Sequence, residues 1–293
     1  MDNWDEIRTA YHVARAGTVS GAAQVLGVHH ATVIRHIDAL EGQMGVRLFQ
    51  RHARGYTPTE AGADLLRVAQ ATDDQFAQLA SRIRGQGDTV SGELVVTSLS
   101  GYSHVLTPVL VQFQRLHPEV SVRYLTGSRL FRLEYGEAHI AIRAGSPPTQ
   151  PDNVVQEFQK ICIGLYASKD YLALNGTPAD ETQLAGHRFI SYDEPQSRAP
   201  YHQWLKDNVS LDQVTYRVAD DPSMQQAILA GAGLGFMGEK RAENHPELVR
   251  VLPSRPEWEV PLWLVTHVDL HRTAKVQTFL KFLKSEITDG NQP

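Results

Sequence analysis

The chain has 293 residues, 42% of them apolar and 21% charged, a balance that supports folded domains and excludes a disordered or fibrous chain. No segment approaches the roughly 18 consecutive apolar residues of a membrane span, and the opening MDNWDEIRTAYH lacks the basic-then-apolar order of an export leader, so a soluble cytoplasmic protein is expected. The net charge of -5 is unevenly spread: residues 1–87 hold 9 Arg and 9 acids, while residues 20–59 hold 4 Arg, 4 His and 2 acids, a local basic footprint suited to nucleic acid.

Trp4, Ile7, Tyr11 and Ala14 recur at helical spacing and predict a first helix ending at Gly17, with this stripe facing inward. Thr18 is a candidate N-cap for a short second helix whose Ala22 and Ala23 permit close packing and whose Leu26 points to the core, and Gly27 supplies the turn. A third helix is expected from near His29 to Glu41. Its inward stripe is Val33, Ile37 and Leu40, its outward face carries Ala31, Arg35 and Asp38, and His30 lies at the amino end. A recognition helix meets base edges there, in the major groove.

A bare helix-turn-helix spacing also fits any small three-helix core with a solvated Arg. The next segment adds specificity: MGVRLFQR, HARG and YTPT read as two short strands around a tight turn, a wing with Arg51 and Arg54 at its tip, spaced to grip phosphates or enter the minor groove. The candidate DNA contacts are therefore Thr18, Ser20, His29, His30, Ala31, Thr32, Ile34, Arg35, Arg51 and Arg54.

From Thr59 a helix is predicted to about Arg84, with Leu65, Ala69, Thr72, Phe76, Leu79 and Ile83 forming a narrow heptad seam flanked by polar Gln75, Gln78 and Ser81. Such a seam is expected to pair with a second copy of the chain. The domain boundaries that follow are 1–58 for the winged helix-turn-helix, 59–87 for a linker and dimerisation helix, and 88–293 for the remainder.

The run AAQVLGVHHATVIRHIDALEGQMGVRLFQRHARGYTPTEAG resembles the N-terminal domain of LysR-type transcriptional regulators, matching at Ala22, Ala23, Leu26, Ile37, Leu40, Glu41, Gly45, Leu48, Phe49, Arg51, Arg54, Thr59 and Gly62. The departures fall where bases would be read: His29, His30 and Ile34 stand where the family usually has Ser, Gln and Ser. Histidine is a poor helix cap and takes up a proton near neutral pH, so an unusual operator preference is expected, with affinity rising as pH falls.

GQGDTVSG, residues 85–92, breaks the composition and marks a hinge. After it, ELVVTS reads as a strand, about Tyr102 to Leu116 as a helix and SVRYLT as a strand, an α/β unit with a parallel sheet. Further strands are predicted at 138–143, 161–167, 188–192, 214–219, 233–237 and 260–267, and helices at 201–207, 222–231 and 273–287. GELVVTS, LTPVLVQFQRLHPEVSV, GEAHIAIRAG, AILAGAGLGFM and PLWLV are similar to the family's effector domain, with His139 where Asp is common. The resemblance implies an α/β fold with an all-α-dominated N-terminal winged helix-turn-helix domain and a C-terminal two-lobed, periplasmic-binding-protein-like (type 2) effector domain. Lobe I is expected at about 92–160 and 268–293, and lobe II at about 161–267.

Ligands of such lobes sit at the carboxyl ends of strands, facing helix amino termini. That nominates Ser98, Ser100, Gly101 and Tyr102 in one loop and Thr126 and Ser128 in the next, with Ser100 and Thr126 foremost. In the other lobe it nominates Tyr192, Asp193, Asp220 and Asp221, although Asp221 before Pro222 also fits a helix cap. Arg129 and Arg143 fit a ligand carboxylate, but a solvated surface position fits either of them better.

Gly233, Gly235 and Gly238 satisfy GxGxxG, but they follow a predicted helix and open a strand, the reverse of the dinucleotide order, and fit tight helix-to-strand packing better. The histidines lack metal-ligand spacing, no hydrolase or nucleotide motif occurs, and the lone Cys162 in an apolar run is expected to be buried and inert. No catalytic residue, metal or cofactor is therefore expected. A transport-type solute-binding protein would lack the basic wing, and an enzyme on the same scaffold would need a catalytic constellation. The expected partners are double-stranded operator DNA, a small-molecule effector and further copies of the chain, a dimer of dimers by resemblance, with RNA polymerase open as another.

Overall fold

The computed structural model describes residues 4–53, 55–83, 90–127, 130–193 and 199–288, without the side chains at 71, 74, 75, 77–83 and 135. Helices α1 (Trp4–Ala16), α2 (Val19–Leu26) and α3 (His30–Met44) close around Ala10, Val13, Val19, Ala22, Val33, Ile37 and Leu40. Trp4 departs from the expected stripe: it lies at the first turn, 59% exposed, while Ala10 and Val13 take the inward positions. Strands β1 (Phe49–His52) and β2 (Gly55–Pro58) pair antiparallel as the wing. Gly55, at φ +144, is required here because a Cβ would lie 2.3 Å from the Gly17 carbonyl oxygen, which accepts from the Tyr56 N–H at 2.8 Å.

Helix α4 (Glu60–Ile83) begins where Thr59 predicts, and the Thr59 hydroxyl accepts from the Gly62 N–H at 3.1 Å. Its seam divides. Leu65 packs on the N-terminal core and Ala69 is buried, so these two serve their own chain rather than an open partner face. The half-buried Thr72 turns its hydroxyl to the Val68 carbonyl at 2.9 Å, whereas Phe76 remains 53% exposed with its ring against the edge of Trp4 at 5.7 Å. Leu79 and Ile83 lie outside the described side chains.

The C-terminal region starts with β3 (Gly92–Ser98), α5 (Ser103–Leu116), β4 (Val120–Thr126), β5 (Ile140–Ala144) and β6 (Asn153–Ile161). It continues with β7 (Ile163–Ser168), α6 (Lys169–Asn175), β8 (Phe189–Tyr192), α7 (Pro200–Asn208) and β9 (Val214–Val218). Then come α8 (Asp221–Leu229), β10 (Gly235–Gly238), α9 (Glu239–Glu243) and β11 (Leu248–Leu252), and last β12 (Val260–His267), α10 (Val268–His271) and α11 (Ala274–Thr288).

Two lobes result. The first is a sheet in the order β4-β3-β5-β12-β6, in which β3 runs parallel to β4 and β5 while β12 runs antiparallel to both β5 and β6. Residues Leu94 to Ser98 are buried along β3, as a central strand covered on both faces requires. The second lobe has β10-β7-β11 antiparallel, joined through a bridge between Phe189 and Leu234 to the parallel pair β8-β9.

This pairing corrects the expected boundary at 267. Strand β12 belongs to the first lobe, so the chain crosses at Cys162 and returns before Val260. Cys162 is itself exposed, contrary to the expected burial, because it sits in the crossing between two strands rather than inside one. Gly233 and Gly235 do serve close packing: a Cβ would lie 2.5 Å from the Arg188 carbonyl oxygen at the first and 2.7 Å from the Ile228 side chain at the second.

Helix α4 docks on the first lobe. The Gln70 amide lies 2.9 Å from Nε2 of the buried His139, whose Nδ1 accepts from the Val95 N–H at 2.9 Å, and Arg67 pairs with Asp269. His139, the departure noted in the sequence, therefore forms part of the joint between the helix and the lobe.

Candidate functional site

The wing is fastened to α3 by one carboxylate. Glu41, 5% exposed, accepts from the N–H groups of Leu48 (2.9 Å) and Phe49 (3.1 Å) and from the guanidinium groups of Arg47 and Arg51 (2.8 Å each). Burial pushes its carboxyl up, but these four donors together hold it below the usual carboxylate range.

Arg51 is held within its own domain. It bonds Asp38 at 2.6 Å as well as Glu41, and its guanidinium lies over the Tyr56 ring at 5.4 Å, so it braces the wing against α3. Arg54 lies outside the described residues. Thr18 acts as a cap, accepting from the Gly21 N–H at 3.1 Å, and Ile34 packs half-buried on the N-terminal core instead of facing outward. Ser20, His29, His30, Ala31 and Arg35 are exposed and Thr32 is half-buried. His29 occupies the cap position of α3 without a side-chain cap bond, as expected of a histidine there. Gln50 and His52, exposed on β1, join this face; the strand is buried only at Phe49 and exposed over its next three residues, so no alternating pattern in the sequence could have signalled them.

Between the lobes lies a cavity of about 270 Å³. Gly101, Tyr102, Tyr192 and Asp221 line it, together with His104, Gln159, Tyr201, Met224, Phe236 and Arg241, and with Ile161, Cys162 and Val260 from the two crossings. Its most informative feature is Asp221. One carboxylate oxygen accepts from the Gly101 N–H of the first lobe at 3.1 Å, and the other accepts from the Tyr192 hydroxyl of the second. Gly101 permits this approach, since a Cβ there would lie 2.3 Å from Asp221 Oδ2. Burial and the Asp221 carboxylate push the Tyr192 hydroxyl far above its ordinary value, so it remains a donor. Burial lowers the Arg241 guanidinium, and burial holds the neighbouring His202 at about 4, hence neutral.

Among the described residues, none of the others nominated lines the cavity. Ser98 is buried with its hydroxyl on the Leu99 carbonyl and Tyr124 hydroxyl, and the half-buried Ser100 stands outside the lining, its backbone carbonyl accepting from the Ser103 hydroxyl. Thr126 is exposed at the end of β4 and Asp193 is exposed after β8. Asp220, not Asp221, caps α8, accepting from the Ser223 N–H at 2.7 Å; the cap role falls one residue earlier and frees Asp221 to face the cleft. Ser128 and Arg129 lie outside the described residues, and Arg143 donates to the Phe131 carbonyl. Sequence reasoning missed His104, Tyr201 and Arg241, whose helices present them to the cavity without any local motif.

A winged helix-turn-helix followed by two α/β lobes with a cavity between them defines a ligand-responsive transcription regulator. Residues 4–63 match the bacterial regulatory helix-turn-helix protein model of the lysR family, and residues 87–288 match the LysR substrate binding domain, so the chain belongs to the LysR family. It is a LysR-type transcriptional regulator with an N-terminal DNA-binding domain and a C-terminal effector-binding domain.

Among its relatives, the HTH-type transcriptional activator IlvY of Salmonella typhimurium is 31% identical over 253 residues, covering 84% of this chain and 85% of IlvY. Full-length OxyR from Pseudomonas aeruginosa has a similar fold, at a TM-score of 0.72 and 15% identity over 96% of this chain and 93% of OxyR. So does full-length LysG from Corynebacterium glutamicum with bound effector Arg, at a TM-score of 0.70 and 16% identity over 99% of this chain and all, 100%, of LysG.

Proposed function

We propose that the chain reads operator DNA through the amino-terminal turn and outer face of α3, with His29, His30, Ala31, Thr32 and Arg35 at the bases and Ser20 on the flanking backbone. The observation that carries this reading is the outward face of α3: Arg35 and the two histidines are exposed opposite the buried Val33, Ile37 and Leu40 stripe. The same geometry supports the wing as a backbone-tracking element through Gln50 and His52, to which the sequence adds Arg54.

We further propose that two copies pair along α4. Exposed Trp4, Val68 and Phe76 supply its apolar contact, the heptad spacing of the sequence carries the seam on to Leu79 and Ile83, and paired winged helices would read half-sites on one face of the duplex. A small molecule in the inter-lobe cavity would then shift the spacing of the DNA modules, which requires it to bind two assembly states with different affinity.

Electrophoretic retardation of the chain's own upstream DNA tests this. Binding should weaken steeply with salt. Arg35→Ala or His30→Ala should relax base preference, each by about 1–3 kcal/mol at the contacted position, whereas Arg54→Ala should weaken all sequences about equally. Equal effects from all three would overturn the assignment.

A further inference from the structure

We propose that the inter-lobe cavity takes a zwitterion, a small ammonium carboxylate with an apolar side chain such as an α-amino acid, with Asp221 holding the ammonium and Arg241 the carboxylate. This rests on the reading of the cavity as the effector site. The charged groups around the cavity sort themselves. Lys160 is paired with Glu259 at 2.9 Å and Glu239 with Arg250 at 2.8 Å, while Lys240 and Glu243 are solvent-exposed. Asp221 and Arg241 are half-buried and both face the cavity, and among the described residues no ion pair joins them.

Each is braced by neutral groups that leave capacity over. Asp221 accepts from the Gly101 N–H and the Tyr192 hydroxyl, and a carboxylate has lone pairs for further donors. Arg241 commits Nε to the Gln225 side-chain oxygen, which leaves its two terminal nitrogens to form the fork that suits a carboxylate. A simple carboxylic acid would bring a second anion against Asp221, and a simple amine would bring a cation against Arg241. A zwitterion satisfies both groups at once. Ile163, Tyr201, Met224, Phe236, Met237 and Val260 supply the apolar wall for its side chain. Because Asp221 already spans the lobes through Gly101, a ligand bound to it would sit on the contact that sets lobe closure.

The test uses the full chain, by thermal shift and calorimetry, with leucine and phenylalanine as probes. Each is compared with its deaminated acid, isocaproate or hydrocinnamate, and its decarboxylated amine, isoamylamine or phenethylamine. At least one amino acid should raise the unfolding midpoint by several degrees at millimolar concentration, with its acid and amine at least about tenfold weaker. Asp221→Asn and Arg241→Gln should each weaken the amino acid by about tenfold or more, and Asp221→Asn should narrow the gap between amino acid and acid. Binding of neither amino acid, or an acid binding as tightly as its amino acid, would overturn the proposal. Retardation of upstream DNA by the unliganded chain judges the regulator reading separately: DNA binding without any response to the amino acids sinks the zwitterion alone.

Discussion

Two carboxylates organise the two halves of this regulator, and they differ in what they leave open. Glu41 is enclosed by four donors from its own domain, two backbone and two guanidinium, all within 3.1 Å, and it has no route to a ligand. Asp221 has two donors, one from each lobe, and faces a cavity. The first arrangement fixes a wing; the second joins two bodies while keeping acceptor capacity for something else. A buried carboxylate is thus read by how its lone pairs are used and whether its donors belong to one folding unit or two.

The largest effect should come from the enclosed group. Glu41→Gln leaves Arg47, Arg51 and two N–H groups without their anion, and should cost about 3 kcal/mol of stability in the N-terminal domain, with loss of DNA retardation. The acid limb gives a sharper reading. A carboxyl held low in the folded chain contributes stability above its unfolded pKa of about 4.3, and loses it as the pH falls through the lower folded value. The gap between wild type and Glu41→Gln in urea unfolding should therefore be full at neutral pH and close below about pH 4. A gap unchanged at low pH would mean that Glu41 acts by packing.

Gly101→Ala should come next. Its Cβ has no room against Asp221, so the latch must shift, at a cost of about 1–3 kcal/mol in the C-terminal domain, with hydrogen exchange at Gly101 and along the cleft accelerated. Wild-type exchange in the variant would remove Asp221 as an inter-lobe contact. Tyr192→Phe deletes one donor to a group that keeps another, and should lower stability by about 1 kcal/mol in urea unfolding. A loss as large as that of Glu41→Gln would erase the distinction between the enclosed and the open carboxylate.

Much of the N-terminal half is legible because its order is local. The spacing of Val33, Ile37 and Leu40 predicts the buried side of α3, Gly27 the turn and Thr59 the start of α4, and each is found there. Arg51 is the instructive exception: a basic residue at a wing reads as a phosphate grip, and only the approach of Asp38 and Glu41 from α3 turns it into a brace. The seam of α4 divides for the same kind of reason, because periodicity finds an apolar stripe but not whether α1 or another copy covers it.

By itself the sequence determined the elements with strong periods, the winged helix-turn-helix and the α/β units, because side-chain spacing and turn chemistry act over a few residues, while the two lobes were implied by the family resemblance. Tertiary structure decided what depends on distant pairing. The apolar run of β12 suits either lobe until it pairs with β5 and β6, and β6 is half-buried along most of its length, without the alternation that would announce it. It also decided between adjacent aspartates: Asp220 and Asp221 are alike in sequence, but the turn into α8 sends one to cap its helix and the other into the cleft. Asp220 is extended and Asp221 opens the helix, and that change of backbone separates a cap from a cleft-facing carboxylate.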